Sequence, residues 1–277
     1  MKRQPTNKII FSENQLSEII NLYINENNSA AQIAKIYRVS ESKIFSTLHK
    51  ENVKLRYKTK KYKLDENIFD KIDNKSKAYF LGVICADGGI QTETTLAINL
   101  QEPDVDVLQY LRSLLKTEKP LYFSDIKKKH KDWQNMYTLS IVSKNIINSL
   151  KRMGISYRKS LTLKFPSISN EFNKSLILGY FDGDGSLGYN KKTKDYLISI
   201  CGTNCFLKTM KEHIEKNVKI KGHIYKHSNI KKLCISGNRQ VYKFLTWLYN
   251  DEPFKMNRKY IKYLKLKKYI NRNLIET

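Results

Sequence analysis

The chain has 277 residues, 40% of them hydrophobic, enough for one large domain or two to three small ones with a sizeable core. Its 51 Lys and Arg against 26 Asp and Glu leave a net charge of +25, an excess that points to a polyanionic partner, nucleic acid first, because counterion release from phosphates drives such binding. No apolar run approaches the roughly 18 residues of a membrane span, no apolar signal segment follows Met1, and four cysteines without a CxxC pair argue against structural zinc, so an intracellular protein with reduced thiols and no membrane contact is expected.

Residues 13 to 51 read as three short helices. Leu16, Ile19, Ile20 and Tyr23 share one face of the first, and Asn27-Asn28 breaks it. Ser29 is the expected cap of a second helix carrying Ile33, Ala34 and Tyr37, and Ser40 of a third carrying Ile44, Phe45 and Leu48. The run "SAAQIAKIYRVSESKIFSTL" resembles the helix-turn-helix of resolvase-like and other bacterial DNA-binding domains. On that reading Ser40 to Lys50 is the recognition helix, with Ser42, Lys43, Ser46 and Thr47 facing the groove. A helical bundle that docks elsewhere is the blander alternative. The domain is assigned to residues 1–53, and 54–75 to a basic linker in which Arg56, Lys58, Lys60 and Lys61 track phosphates or form a solvated tether.

From Lys75 the sequence repeats itself. "AYFLGVICADGGI" at 78–90 parallels "LILGYFDGDGSL" at 176–187, which sets Asp87 and Asp184 97 residues apart. Each motif precedes a strand-like segment (Thr94 to Asn99; Tyr196 to Cys201) and a helix-like one (Val105 to Leu115; Cys205 to Ile214). Two more strands and a closing helix complete each copy. Two copies, divided at 76–168 and 169–277, suggest an internal pseudo-twofold and an α+β class.

Each motif reads as a helix that ends on an acid followed by glycine. Gly82 and Gly179 lie five residues before the acids, where glycine costs about 1 kcal/mol relative to alanine. A helix tolerates that loss when another backbone must come close, so the two motif helices are expected to pack through these glycines. Asp87 and Asp184 then meet at two helix C-termini, where the macrodipole and their mutual repulsion disfavour both charges. A divalent cation with oxygen ligands relieves both effects. Mg²⁺ fits, with Mn²⁺ as substitute, held by the two carboxylates and the carbonyls of Ala86 and Gly183. A single Asp-Gly is usually only a turn. Two at equivalent places in a repeat are far more specific.

These residues resemble the LAGLIDADG homing endonucleases in their single-chain, two-motif form: "FLGVICADG" (80–88) and "ILGYFDGDG" (177–185), with likeness over about residues 66 to 270. "FKMNRKYIKYLKLKKY" also resembles the basic closing helix of bacterial and phage members. The resemblance implies two αββαββα halves whose saddle-shaped sheets lie on double-stranded DNA, after a small all-α domain. It implies metal-binding acids at Asp87 and Asp184, and cleavage of both strands of a long asymmetric target. It also implies a monomer, since the repeat supplies the second half-site, in a bacterial or phage-infected cytoplasm. Departures are Cys85 at the often acidic sixth position, where the second copy has Asp182, and loosely matched peripheral residues. Glu102 and Gly202 follow the second strands, and Lys144 and Arg239, the candidate auxiliary catalytic residues, follow the last. Gly202 offers no side chain, so unequal half-sites are expected. A nucleic-acid-binding protein without nuclease activity, such as a regulator or intron maturase, is the alternative. Membrane-surface binding leaves the paired acids unexplained.

Overall fold

The computed structural model describes residues 9–55, 62–128 and 130–275, and the chain divides into two compact units, Met1–Lys61 and Tyr62–Thr277. The first holds α1 (Glu13–Ile24), α2 (Ala30–Ile36) and α3 (Glu41–Lys50). Each begins on a serine. Ser12, Ser29 and Ser40 accept from a backbone N–H three residues on, and Gln15 and Gln32 complete capping boxes. Ile19, Ile33, Ile44 and Leu48 are fully buried in a core of this unit's own.

The second unit repeats one pattern twice. The first copy runs α4 (Lys75–Asp87), β1 (Gly88–Thr92), β2 (Thr95–Gln101), α5 (Val105–Leu114), β3 (Tyr122–Ser124), β4 (Met136–Val142) and α6 (Lys144–Arg152). The second runs α7 (Asn173–Asp184), β5 (Gly185–Asn190), β6 (Asp195–Gly202), α8 (Asn204–Asn217), β7 (His223–His227), β8 (Ile230–Ser236) and α9 (Asn238–Tyr249). A last helix, α10 (Asn257–Ile275), follows. The sheets are antiparallel, ordered β1-β2-β4-β3 and β5-β6-β8-β7. This is the α+β class and the αββαββα order expected. Strand alternation sends one face of each sheet inward: Leu96, Ile98 and Leu100 of β2 are buried, while Asn99 and Gln101 are exposed.

The two copies join through α4 and α7, each apolar on nearly every side. Gly82 lies against the backbone of Leu176 and Tyr180, and Gly179 against that of Tyr79 and Val83. A methyl group on either would collide with a carbonyl of the facing helix. The glycines therefore permit backbone-to-backbone packing, as their position in the motif suggested.

Two sequence expectations need correction. Reading the residues alone placed a single strand between each motif and the next helix. There are two, because β1 and β5 start on the glycine after the acid. Gly88 and Gly185 have extended backbones, φ −78° and −90°, and not the left-handed turn of a usual glycine stop. Glycine is needed there for space, since a Cβ would strike Ile84 or the Phe181 ring. The second correction concerns the linker, because its later part is core. Ile68 and Phe69 are 2% exposed, and Phe69 meets Phe80 edge-on at 5.2 Å. Asn145 donates to the Glu66 carbonyl at 3.0 Å and to the Asn67 side chain at 2.8 Å, fixing this stretch to α6.

Candidate metal centre and nucleic-acid interface

Asp87 and Asp184 are the last residues of α4 and α7, and the glycine packing brings them together. The turn of Gly183 lies against Ala86 and the Asp87 carboxylate, with no room for a methyl group. Burial pushes the Asp87 carboxyl up to about 6, with Asp184 adding to the effect and Lys259 and Lys159 opposing it. Asp184 is raised as well, first by the crowding around it, although its outer edge is exposed. Tyr180, as a hydrogen-bond donor, and the two lysines draw it back.

Two buried lysines complete this corner. Lys159 donates to the Ala86 carbonyl at 3.0 Å, and Lys259 to the Phe181 and Asp182 carbonyls at 2.5 and 2.6 Å. Each is under a tenth exposed. Burial lowers both ammonium groups, Lys259 to about 8. A cation on the free carbonyls of a helix C-terminus offsets the macrodipole, so the lysines supply part of the compensation that the sequence reading assigned wholly to metal. They were missed in the sequence, yet the repeat marks them. Arg158-Lys159 in "YRKS" and Arg258-Lys259 in "NRKY" follow the closing helices of the two copies. Arg258 crosses to the other half, its guanidinium gripping buried Asp104 at 2.9 and 2.7 Å. Thr203 of the second copy donates to the Leu163 carbonyl of the first copy's tail at 2.5 Å, so that tail crosses too.

The acid pair fits a hard divalent cation. Asp87 Oδ2 is buried and has no hydrogen-bond partner, an unfavourable state for a carboxylate unless a ligand meets it. Among the described residues no three His, Cys, Asp or Glu side chains gather as a metal cluster, so a cation here would rest on two carboxylates and backbone oxygens. Of the two carbonyls named from sequence, that of Ala86 is already taken by Lys159, and the Gly183 carbonyl is the better candidate.

Asp182, the second copy's sixth-position acid, points away from this role. It is 1% exposed, accepts from Tyr79 at 2.9 Å and from the Met256 N–H at 3.1 Å, and so ties the segment before α10 to the helix pair.

Lys144 and Arg239 are not brought to the acids. Gly88 is level with Ile98 and Leu139, and Gly185 with Ile200 and Leu233. Lys144 and Arg239 lie five and six residues further along, roughly 15–20 Å towards the opposite sheet ends. The last strands run away from the acids, so residues following them cannot serve the acid corner. Residues at the acid end are Gln101 and Glu102 in the first copy and Gly202 and Thr203 in the second. There the register sets Asn99 opposite Thr138, which donates to it at 2.6 Å, and at the equivalent place Cys201 opposite Lys232.

In the first unit, Thr47 is 6% exposed and donates to the Lys43 carbonyl, so it does not face a groove. Lys43 lies over the Phe11 ring at 5.4 Å. The open face of α3 carries Ser42, Ser46, His49 and Lys50, a rotation of about one helical position from the expected set. Arg56, Lys58, Lys60 and Lys61 lie outside the described residues.

No protein-family model and no curated protein matches the chain. Solved structures do. The homing endonuclease I-WcaI bound to its DNA recognition sequence is 13% identical, with 68% of this chain and 85% of that one covered and a TM-score of 0.49. I-SmaMI bound to an uncleaved DNA target with calcium ions is 12% identical, covering 72% and 92%, with a TM-score of 0.49. Full-length DUF199/WhiA from Thermatoga maritima is 15% identical, covering 76% and 69%, with a TM-score of 0.45. The fold is LAGLIDADG-like. What fixes it in this chain is the pair of glycine-packed motif helices, each ending on an acid at the head of a four-stranded sheet. Among the described residues no helix is long and apolar enough to cross a membrane.

Proposed function

We propose that this LAGLIDADG-like chain is a site-specific double-strand DNA endonuclease that works as a monomer with Mg²⁺, or Mn²⁺ in its place. The observation that carries the reading is the buried, unpartnered Asp87 Oδ2 beside Asp184, at the junction of two pseudo-symmetric halves in a chain of net charge +25. Asp87 and Asp184 would hold the cation, with the Gly183 carbonyl as a further oxygen. A divalent ion there supplies charge neutralisation at phosphorus and an acidified water. Lys159 and Lys259 fix the helix ends so that both carboxylates face one point. The outward faces of the sheets, with Asn99 and Gln101 on one and Lys232 on the other, present amide and ammonium donors suited to base edges and phosphates.

A second reading, nucleic-acid binding without cleavage, draws on the same lysines, because they partly stabilise the acid corner in the absence of metal. Selecting bound duplexes from a randomised library in Ca²⁺ and then adding Mg²⁺ separates the two. Cutting at one position, lost in Asp87→Asn and Asp184→Asn while binding stays within a few-fold, is the expected outcome. Specific binding with no cutting in Mg²⁺ or Mn²⁺ favours the second reading.

A further inference from the structure

The two halves differ where their last two strands are joined. In the second copy only Ser228 and Asn229 separate β7 from β8, whereas in the first residues 125–135 separate β3 from β4. This longer arm is braced at its base. The Asn135 carbonyl accepts from the Glu102 N–H at 2.8 Å, and its side-chain amide donates to the Glu102 carboxylate at 3.2 Å. The side-chain oxygen of Asn135 accepts from the Lys127 N–H at 3.2 Å, which ties the outgoing chain to the returning one. Further out, the His130 N–H donates to the Ile126 carbonyl and the Trp133 N–H to the His130 carbonyl, both at 3.0 Å. The His130 and Trp133 rings stack at 4.7 Å.

The braced arm carries cations and an uncovered indole. Lys127, Lys128 and Lys131 are exposed, and Trp133 is 60% exposed. Lys128 pairs with Asp125 at 3.3 Å, a surface contact that a phosphate can replace. A single exposed tryptophan asks for no partner. One carried among lysines on a braced arm joins a flat apolar plate to positive charge, the combination that suits a nucleic-acid strand. Its place in the fold points the same way. Gly88 is level with Leu139, and β4 begins three residues earlier at Met136, so the arm leaves the sheet just beyond the level of Asp87. The strand order puts it two to three strands from β1, so strand rise and spacing set its base on the order of 15 Å from Asp87, a few phosphates along a duplex. The outward row Asn99, Thr138 and Tyr122 runs across the sheet to the strand that starts the arm.

We propose that residues 125–135 are a DNA-gripping arm of the first half, in which Lys127, Lys128 and Lys131 meet phosphates beside the acid corner and Trp133 packs on the same strand. The second half has no counterpart, so the duplex is held more tightly on one side of the acid pair. The arm rests on the DNA-binding part of the reading above and not on cleavage.

Two variants of the full chain test it, each with the selected duplex in Ca²⁺. Replacing Lys127, Lys128 and Lys131 by alanine should weaken binding on the order of tenfold and make the slope of log K against log[salt] shallower by about two to three. Replacing Lys208, Lys216 and Lys219, exposed on and after α8, removes the same charge from the opposite side of the second sheet and should change binding less than threefold. Trp133 and Trp247 are the only tryptophans, so Trp247→Phe leaves Trp133 as the sole indole, and duplex should shield its fluorescence from acrylamide. An arm variant that binds like the α8 variant, or a Trp133 as open to acrylamide with duplex as without, overturns the arm and leaves the endonuclease reading standing. Specific binding by the parent without cutting removes the endonuclease reading alone, and a parent that binds no duplex removes both.

Discussion

A carboxyl that is harder to ionise in the folded chain than in the unfolded one binds its proton more tightly when folded. Asp87 and Asp182 are both in this position, raised from 3.8 to about 6 mainly by burial. Between those values the folded state holds more protons, so metal-free stability should fall as pH rises from about 4 to about 6 and level off above. Asp87→Asn removes one of the two contributions. That variant should be more stable than the parent at pH 7 without metal, by about 1–2 kcal/mol after discounting for its partly solvated edge, while being unable to cut. Urea unfolding at pH 4.5 and 7 checks both the size and the sign. A variant less stable than the parent at pH 7 would mean that Asp87 is already satisfied without a cation. With Asp87 awaiting a cation, adding Mg²⁺ should stabilise the parent and leave Asp87→Asn unchanged.

At the scale of elements, the contact between α4 and α7 is the one most exposed to a single change. A Cβ on Gly179 would meet the Tyr79 carbonyl and the Val83 N–H, neither of which can move without shifting a helix. Gly179→Ala should destabilise the second unit by about 3 kcal/mol and separate the acids, although alanine is the better helix former. Thermal melting followed by near-ultraviolet circular dichroism would show it, and an unchanged melting point would mean that the helices tolerate a wider crossing. This element was legible in the sequence because glycine inside a buried helix serves close backbone approach and little else. Two caps of the first unit, Ser29 and Ser40, were legible for a similar reason, a serine just before an apolar period, whereas the Ser12 cap of α1 was not read. β1 and β5 were hidden because a glycine that follows an acid has two uses, turning and close approach, and spacing does not tell them apart. Lys159 and Lys259 were hidden because a buried lysine in a chain with 51 Lys and Arg resembles all the exposed ones. Only the repeat of the Arg-Lys pair sets them apart. Thr47 was misplaced by one step around α3, since its methyl group suits the core and its hydroxyl suits the surface, and burial chose the first.

For the whole molecule, charge and division into units make separate predictions. Each unit has its own buried cluster, one built on Ile19, Ile33 and Leu48 and the other on the motif helices and their sheets. A chain of residues 62–277 should therefore fold, keep its acid corner and cut the same position, with weaker binding wherever α3 contacts DNA. With the net charge at +25, binding by the full chain should fall steeply with salt, and the slope of log K against log[salt] should be shallower for the shortened chain. Filter binding across a salt series measures this. Equal slopes would show that the first unit neutralises no phosphates.

Gly202 leaves room for the Tyr180 ring, since a Cβ there would lie 2.8 Å from the phenol oxygen, and the first copy has Leu100 and Val83 at the equivalent places. This exchange bears on how the two halves could have diverged from a common unit. Starting from the second half, a leucine at 202 alone would press on the phenol, and a valine at 180 alone would leave a void where the ring had been. Either step first is disfavoured, and only the pair together recovers a filled core. The asymmetry is epistatic. Once acquired it resists reversal one residue at a time, and the two halves stay distinguishable.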